Sequence, residues 1–159
     1  MDQVSNQKIT HIKSKIYLGK FGDGKYFGYD NKKIISVVEI TLNNKTKAYG
    51  ESLVGIYSPD LYKKNLKYIS KFFINSSLYD ALKISKKLQR NKFFFHSGLI
   101  KSILASVELA IFNGISILKK QHLAKTLNNF FFNGSLKENN KLKIYSSAGS
   151  IMSNLKDIK

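Results

Sequence analysis

The sequence predicts an α+β domain, a three-stranded antiparallel sheet followed by a helical bundle. Two observations carry this. The first third holds short runs of β-branched and polar residues divided by glycine and asparagine, and from Ser58 onward the apolar residues move to helical spacing. Pro59 is the single proline in 159 residues, so regular structure should fill most of the chain.

Each element has its own signal. Residues 8–18 alternate Ile12, Ser14 and Ile16 against lysines, which predicts a half-buried strand. A glycine-rich excursion follows from Gly19 to Gly28, and Ile34–Leu42 is a second, β-branched strand. Asn43-Asn44-Lys45 is a turn signal, so Thr46–Ser52 should return antiparallel. Ser58-Pro59-Asp60 then starts a helix: Ser58 caps, Pro59 fits the first position and Asp60 suits the positive end of the dipole. Leu61, Leu66, Ile69 and Phe73 should be its apolar face. Ser77-Leu78-Tyr79-Asp80 is a capping box opening a helix to about Arg90. A linker with the cluster Phe93-Phe94-Phe95 leads to a long helix over about 98–118, and a short helix over 121–128 follows. The turn at 137–141 precedes a last strand, Leu142–Ser146.

The long helix has three readings. Residues 102–118 carry only Glu108 as a charge, which approaches the length of a membrane span. Glu108 near the middle, with Ser106, Asn113 and Ser116, opposes a span. Leu99, Ile103, Val107, Ala110, Ile111, Gly114, Ile115 and Leu118 share one helical face, so a buried core helix is preferred and no membrane partner is expected. Glu108 alone could be a general base. A structural role is preferred, with a lysine or backbone donor as partner, because a buried carboxylate needs one. Glu51 is read the same way.

A formal net charge of +17 suggests a polyanion partner. The distribution argues otherwise. Arg90 is the only arginine among 27 basic residues, and the lysines run from Lys8 to Lys159 with no run longer than two. Arginine is the preferred bidentate partner of phosphate and guanine. Abundant Lys, Asn, Ile and Phe read as the composition of an AT-rich genome, so no specific nucleic acid is expected, although a lysine-rich nucleic-acid-binding module is the alternative. The absence of cysteine excludes disulfides, thiolate zinc sites and a cysteine nucleophile. The polar stretch Met1–Lys8 has no signal-peptide core, which predicts a cytoplasmic protein. Gly22-Asp23-Gly24-Lys25 lacks the spacing and following helix of a phosphate loop. His11, His96 and His122 are too dispersed to predict a metal site. Phe130-Phe131-Phe132 should be core or a docking surface.

Three islands stand out when taken together. They are Gly50-Glu51, then Ser106, Glu108, Ala110, Phe112 and Asn113, then Ile144-Tyr145-Ser146-Ser147-Ala148-Gly149. In this order the chain resembles the N-terminal capping domain of the enolase superfamily, in its mandelate racemase and muconate lactonizing branch. Asn113 stands where an aspartate is usual. The resemblance covers about residues 8–150. It divides the chain into a disordered N-terminus at 1–7, a capping domain at 8–136 and, at 137–159, the first strand of a (β/α) barrel that is otherwise absent.

The resemblance implies an enzyme acting on a hydroxy acid or acid sugar as a dehydratase or racemase. A magnesium ion held by acidic residues of the barrel would stabilise an enolate. No catalytic residue and no metal ligand is expected here, because Asp157 stands alone and Lys156 and Lys159 lack the spacing of a catalytic lysine pair. A barrel domain or longer parent chain is the implied partner, and a homo-oligomer is possible within it. What a cap supplies is closure and specificity, from two segments. In Leu18–Asp30 the glycines would let a lid move, and Phe21, Tyr26, Phe27 and Tyr29 would exclude water. In Leu53–Tyr57, Ile56 and Tyr57 would contact substrate.

Overall fold

The computed structural model describes residues 4–20, 32–52, 54–91 and 98–136. Three strands form one antiparallel sheet in sequence order: β1 (Ile9–Lys20), β2 (Lys32–Leu42) and β3 (Lys47–Glu51). Five helices follow: α1 (Val54–Tyr57), α2 (Pro59–Ser70), α3 (Leu78–Gln89), α4 (Gly98–Leu118) and α5 (Leu123–Phe132). This is the expected α+β order. Phe21, Tyr26, Phe27, Tyr29, Phe93–Phe95, His96 and the expected strand Leu142–Ser146 lie outside the described residues.

The alternation of the strands decides which face is covered. Val38, Ile40, Leu42 and Ala48 point to the helices and are buried, while Ile35, Tyr49 and Tyr17 lie on the opposite face and are exposed. The β2–β3 turn closes where Lys45 takes a left-handed φ of 68° and its amide donates to the Leu42 carbonyl. The glycine-free turn is helped by Asn44, whose Oδ1 accepts from the Thr46 amide at 3.0 Å.

α2 corrects one expectation. Its buried face is Tyr62, Leu66 and Ile69, with Phe73 buried in the turn that follows, and Leu61 is exposed. At about 100° per residue a step from position 61 to 66 leaves the face by about 140°, whereas the step from 62 to 66 stays within about 40°. Ser58 makes no side-chain cap hydrogen bond, so Pro59 alone marks that start. The second start behaves as expected: Ser77 Oγ accepts from the Asp80 amide at 3.2 Å.

α4 is long and apolar enough to cross a membrane, but most of it is enclosed by the domain. Burial reaches beyond the expected face to Leu104, Ser106, Phe112 and Ser116, because α4 packs on β2, β3, α2, α3 and α5 together. α5 extends past the expected end at Asn128. It stops where Asn133 and Gly134 take φ of 50° and 75°, a left-handed terminus.

Gly114 faces this core at a position that just admits a methyl group. A Cβ there would lie 3.4 Å from Ala48 Cβ and from Leu78, which is ordinary contact. Gly114→Ala should therefore stabilise the domain by about 0.5–1 kcal/mol, through helix propensity and the unfolded state. Urea denaturation checks this.

Candidate functional site

The sheet brings two chain connections to one end. β1 leaves the sheet at Lys20, paired with Lys32, where β2 begins. β3 runs antiparallel to β2 and ends at Glu51, paired with Val37. Five residues of strand separate Val37 from Lys32, about 17 Å. Lys20 and Lys32 thus lie toward the same end of the sheet as Glu51, but further out along β1 and β2. Ile56 and Tyr57 lie in α1, which the sequence had suggested only as a loop.

This corner is held in place by close backbone contact. A Cβ on Gly50 would stand 2.0 Å from the Ser106 carbonyl oxygen and 2.7 Å from the Ala110 nitrogen, so β3 lies directly on the backbone of α4. Ser106, Ala110 and Gly114 are spaced four apart on α4 and admit the strand. The outward Tyr49 amide donates to Asn113 Oδ1 at 3.0 Å, which satisfies a donor on the sheet edge. An aspartate would offer the same acceptor, so asparagine here keeps the contact.

The rest of the α4 island faces other helices. Glu108 Oε1 accepts from Ser85 Oγ at 2.5 Å and from Gln89 Nε2 at 2.7 Å, both on α3. Its role is structural as expected, but its partners are neutral side chains and not a lysine or a backbone donor. Phe112 meets Phe130 and Phe131 of α5 with ring centroids 5.1 and 5.5 Å apart. The Glu51 side chain is exposed and makes no hydrogen bond or ion pair among the described residues, so the structural role expected for it finds no support.

Acidic groups are dispersed. Glu39 sits on the outer sheet face, almost fully buried, between Lys13 and Tyr49 in register. Lys15 pairs with its Oε2, and Lys47 lies 3.8 Å from its Oε1. The Lys15 hydrogen bond holds the Glu39 carboxyl below its ordinary 4.5, against the opposing effect of burial. The same contact raises Lys15. Asp60 and Asp80 lie beside Lys63 and Lys83 on the surface. Among the described residues no three His, Cys, Asp or Glu side chains come together as a metal site, so these residues do not fit a magnesium ion.

A shallow depression of about 370 Å³ lies at the α4–α5 turn, lined by Asn113, Ile117, Lys120 and His122 among others. No carboxylate lines it among the described residues. Among the described residues lysines stand on every strand and on α2 to α5.

No protein-family profile matches the chain. No curated protein matches it by sequence. Solved structures do resemble it. A mandelate racemase/muconate lactonizing protein from Paracoccus denitrificans PD1222, complexed with magnesium, superposes with a TM-score of 0.60 at 17% identity, over 77% of this chain and 30% of its own. An enolase from Bradyrhizobium, complexed with magnesium and mandelic acid, gives 0.62 at 10% identity, over 77% and 35%. A member of the enolase superfamily from Agrobacterium tumefaciens gives 0.53 at 15% identity, over 67% and 33%. The fold is that of a segment of enolase-superfamily proteins. At these identities the likeness is one of fold, and the chain spans about a third of the length of the structures it matches.

Two measurements check the site. Gly50→Ala should destabilise the domain by about 3 kcal/mol or prevent folding, because the new methyl meets helix backbone that has no side chain to move; thermal denaturation reads this. Glu39 has a lowered folded pKa, so its contribution is complete above 4.5 and is lost as pH falls through the lower folded value. Lys15→Met should raise the Glu39 pKa in an NMR titration and move the acid unfolding midpoint to higher pH.

Proposed function

We propose that residues 8–136 are the capping domain of an enolase-superfamily enzyme of the mandelate racemase and muconate lactonizing branch. The observation that carries this is the match of most of the chain to about a third of such proteins, together with the two connections at one end of the sheet. In this reading Leu18–Asp30 closes over the substrate, Phe21, Tyr26, Phe27 and Tyr29 exclude water, and Ile56 and Tyr57 contact the distal part of the substrate. The substrate is a hydroxy acid or acid sugar, the reaction dehydration or racemisation, and the location the cytoplasm.

The chemistry belongs to a barrel domain. Magnesium would be held there by acidic residues, since those described here are dispersed. This chain's residues orient and enclose. The barrel would dock on α5, whose Phe130, Phe131 and Phe132 are half exposed beside the exposed Ile117 and Leu136. Such a patch on a lysine-rich surface marks a contact surface. The nucleic-acid alternative predicts lysines on one face, which the spread over the elements opposes.

Purified residues 1–159 should show no magnesium-dependent dehydration or racemisation across a panel of hydroxy acids and acid sugars. Turnover by this chain alone would sink the assignment of the chemistry to a barrel. A continuing reading frame encoding βα units, with acids at the strand ends, would support the parent enzyme.

A further inference from the structure

The outer strands of a sheet carry backbone groups that can take a further strand, and this chain closes part of those edges itself. The edge of β3 lies against α4, where Asn113 takes the Tyr49 amide. The start of β1 is closed by the turn before α3. There the Ile9 amide donates to the Ser76 carbonyl at 2.9 Å, and the Asn75 amide donates to the Ile9 carbonyl at 2.8 Å. The register shifts between Ile9 and His11 and is regular beyond.

The pairing decides which backbone groups stay open after that. The Leu42 amide donates to the Thr46 carbonyl and the Ser52 amide to the Ser36 carbonyl, so the even-numbered residues of β2 bond toward β3. Its odd-numbered residues bond toward β1, opposite His11, Lys13, Lys15 and Tyr17. The amides and carbonyls of Ile12, Ser14 and Ile16 therefore point away from the sheet, and they have no backbone partner among the described residues. The usual guards are missing from this stretch: it has no proline, no bulge and no charge on its inward face. Ile12, Ser14 and Ile16 share the inward face with their partners Ile40, Val38 and Ser36, which are buried, yet they are only half-buried themselves. Half-covered isoleucines thus lie beside open backbone. Lys13, Lys15 and Tyr17 stand on the outward face.

The side chains select what this edge can take. A second copy of β1 laid antiparallel, with its centre anywhere from Lys13 to Lys15, would set lysine opposite lysine, which is destabilising. An acid in that place would be attracted. Lys15 is drawn to Glu39, but Lys13 is exposed and makes no ion pair among the described residues. We propose that the Ile12–Ile16 edge of β1 is a docking site for an extended segment of a partner protein in which apolar residues alternate with Asp or Glu. The segment adds antiparallel as a fourth strand. Its backbone bonds to Ile12, Ser14 and Ile16, its apolar residues cover Ile12 and Ile16, and its acids face Lys13 and Lys15. The net charge of +17 speeds the encounter with such a segment. This site is separate from the α5 patch and does not rest on the capping reading.

Amide hydrogen exchange on the 159-residue chain tests this, with a short synthetic peptide that alternates valine and glutamate as the probe. In the free chain the amides of Ile12, Ser14 and Ile16 should exchange about tenfold faster than those of Lys13 and Lys15, which bond to β2. Saturating peptide should slow Ile12, Ser14 and Ile16 by about tenfold and leave the amides of α3 unchanged. Methylating the valine amides, which face β1 in this pairing, should abolish the protection, and a peptide alternating valine and lysine should give none. Lys13→Glu should weaken binding of the glutamate peptide by about fivefold. Protection of Ile12, Ser14 and Ile16 in the free chain would overturn the proposal, because another part of this chain or a second copy would then hold the edge. Binding that survives methylation, or that Lys13→Glu leaves unchanged, would overturn it too, as general attraction to a lysine-rich surface. The methylated peptide needs no change in the protein, so its result is independent of how the variant folds.

Discussion

The contact between Gly50 and the backbone of α4 is the constraint on which the rest of the structure depends. A strand and a helix ordinarily meet through their side chains. Here β3 lies on the Ser106 carbonyl and the Ala110 amide with nothing between. That closeness brings Tyr49 within reach of Asn113, so the sheet edge is closed by a helix side chain. It also fixes the rotation of α4. With Ser106, Ala110 and Gly114 turned to the strand, Glu108 is turned to α3 and Phe112 to α5. One helix thus sets the positions of a sheet and two other helices, and residues that look unrelated in the sequence are parts of a single arrangement.

The polar groups within this core follow from the same geometry. Glu108 could not be left unpaired on a helix otherwise apolar over two-thirds of its length, and Ser85 and Gln89 supply two donors from α3. Ser116 and Thr126 bond to one another at 2.9 Å across the α4–α5 junction, where Gln121 also donates to Thr126. Glu39 is the counterpart on the outer sheet face, where Lys15 and Lys47 compensate its burial. None of these carboxylates faces another acid or a histidine across a cleft. Their partners hold elements together, which is a scaffold's use of charge.

The parts legible in the sequence were those with a long period. The β-branched run of β2 and the uninterrupted apolar run of α4 each span enough residues for the pattern to be decided locally, and α4 begins and ends where the sequence suggested. Tyr62 is masked by its hydroxyl, although its spacing from Leu66 favours it over Leu61 as the core residue. The end of α5 had a signal in Asn133-Gly134, which the three preceding phenylalanines obscured. α1 had none. Its four residues are too few to show a period, and Gly55 is required only because Ser36 and Tyr62 lie beneath it. Contacts that depend on what a residue meets, and not on its neighbours in the chain, leave no trace in the periodicity. The α4 island was different: its residue types could be recognised as a pattern, but the contact that selects them became apparent only with Gly50 against Ser106.

In the role proposed above, the domain has to meet two demands that pull apart. It needs a platform rigid enough to hold its segments over a reaction, and segments loose enough to admit a ligand. The molecule separates these demands in space. The interface of β3 with α4 is built from backbone contact and small residues, where even a methyl group is excluded at Gly50, and it tolerates little motion. At the end of β3 the packing changes to one helical turn that rests on the side chains of Ser36 and Tyr62. The boundary between the two kinds of packing falls at Gly50 and Glu51, where the strand gives way to α1.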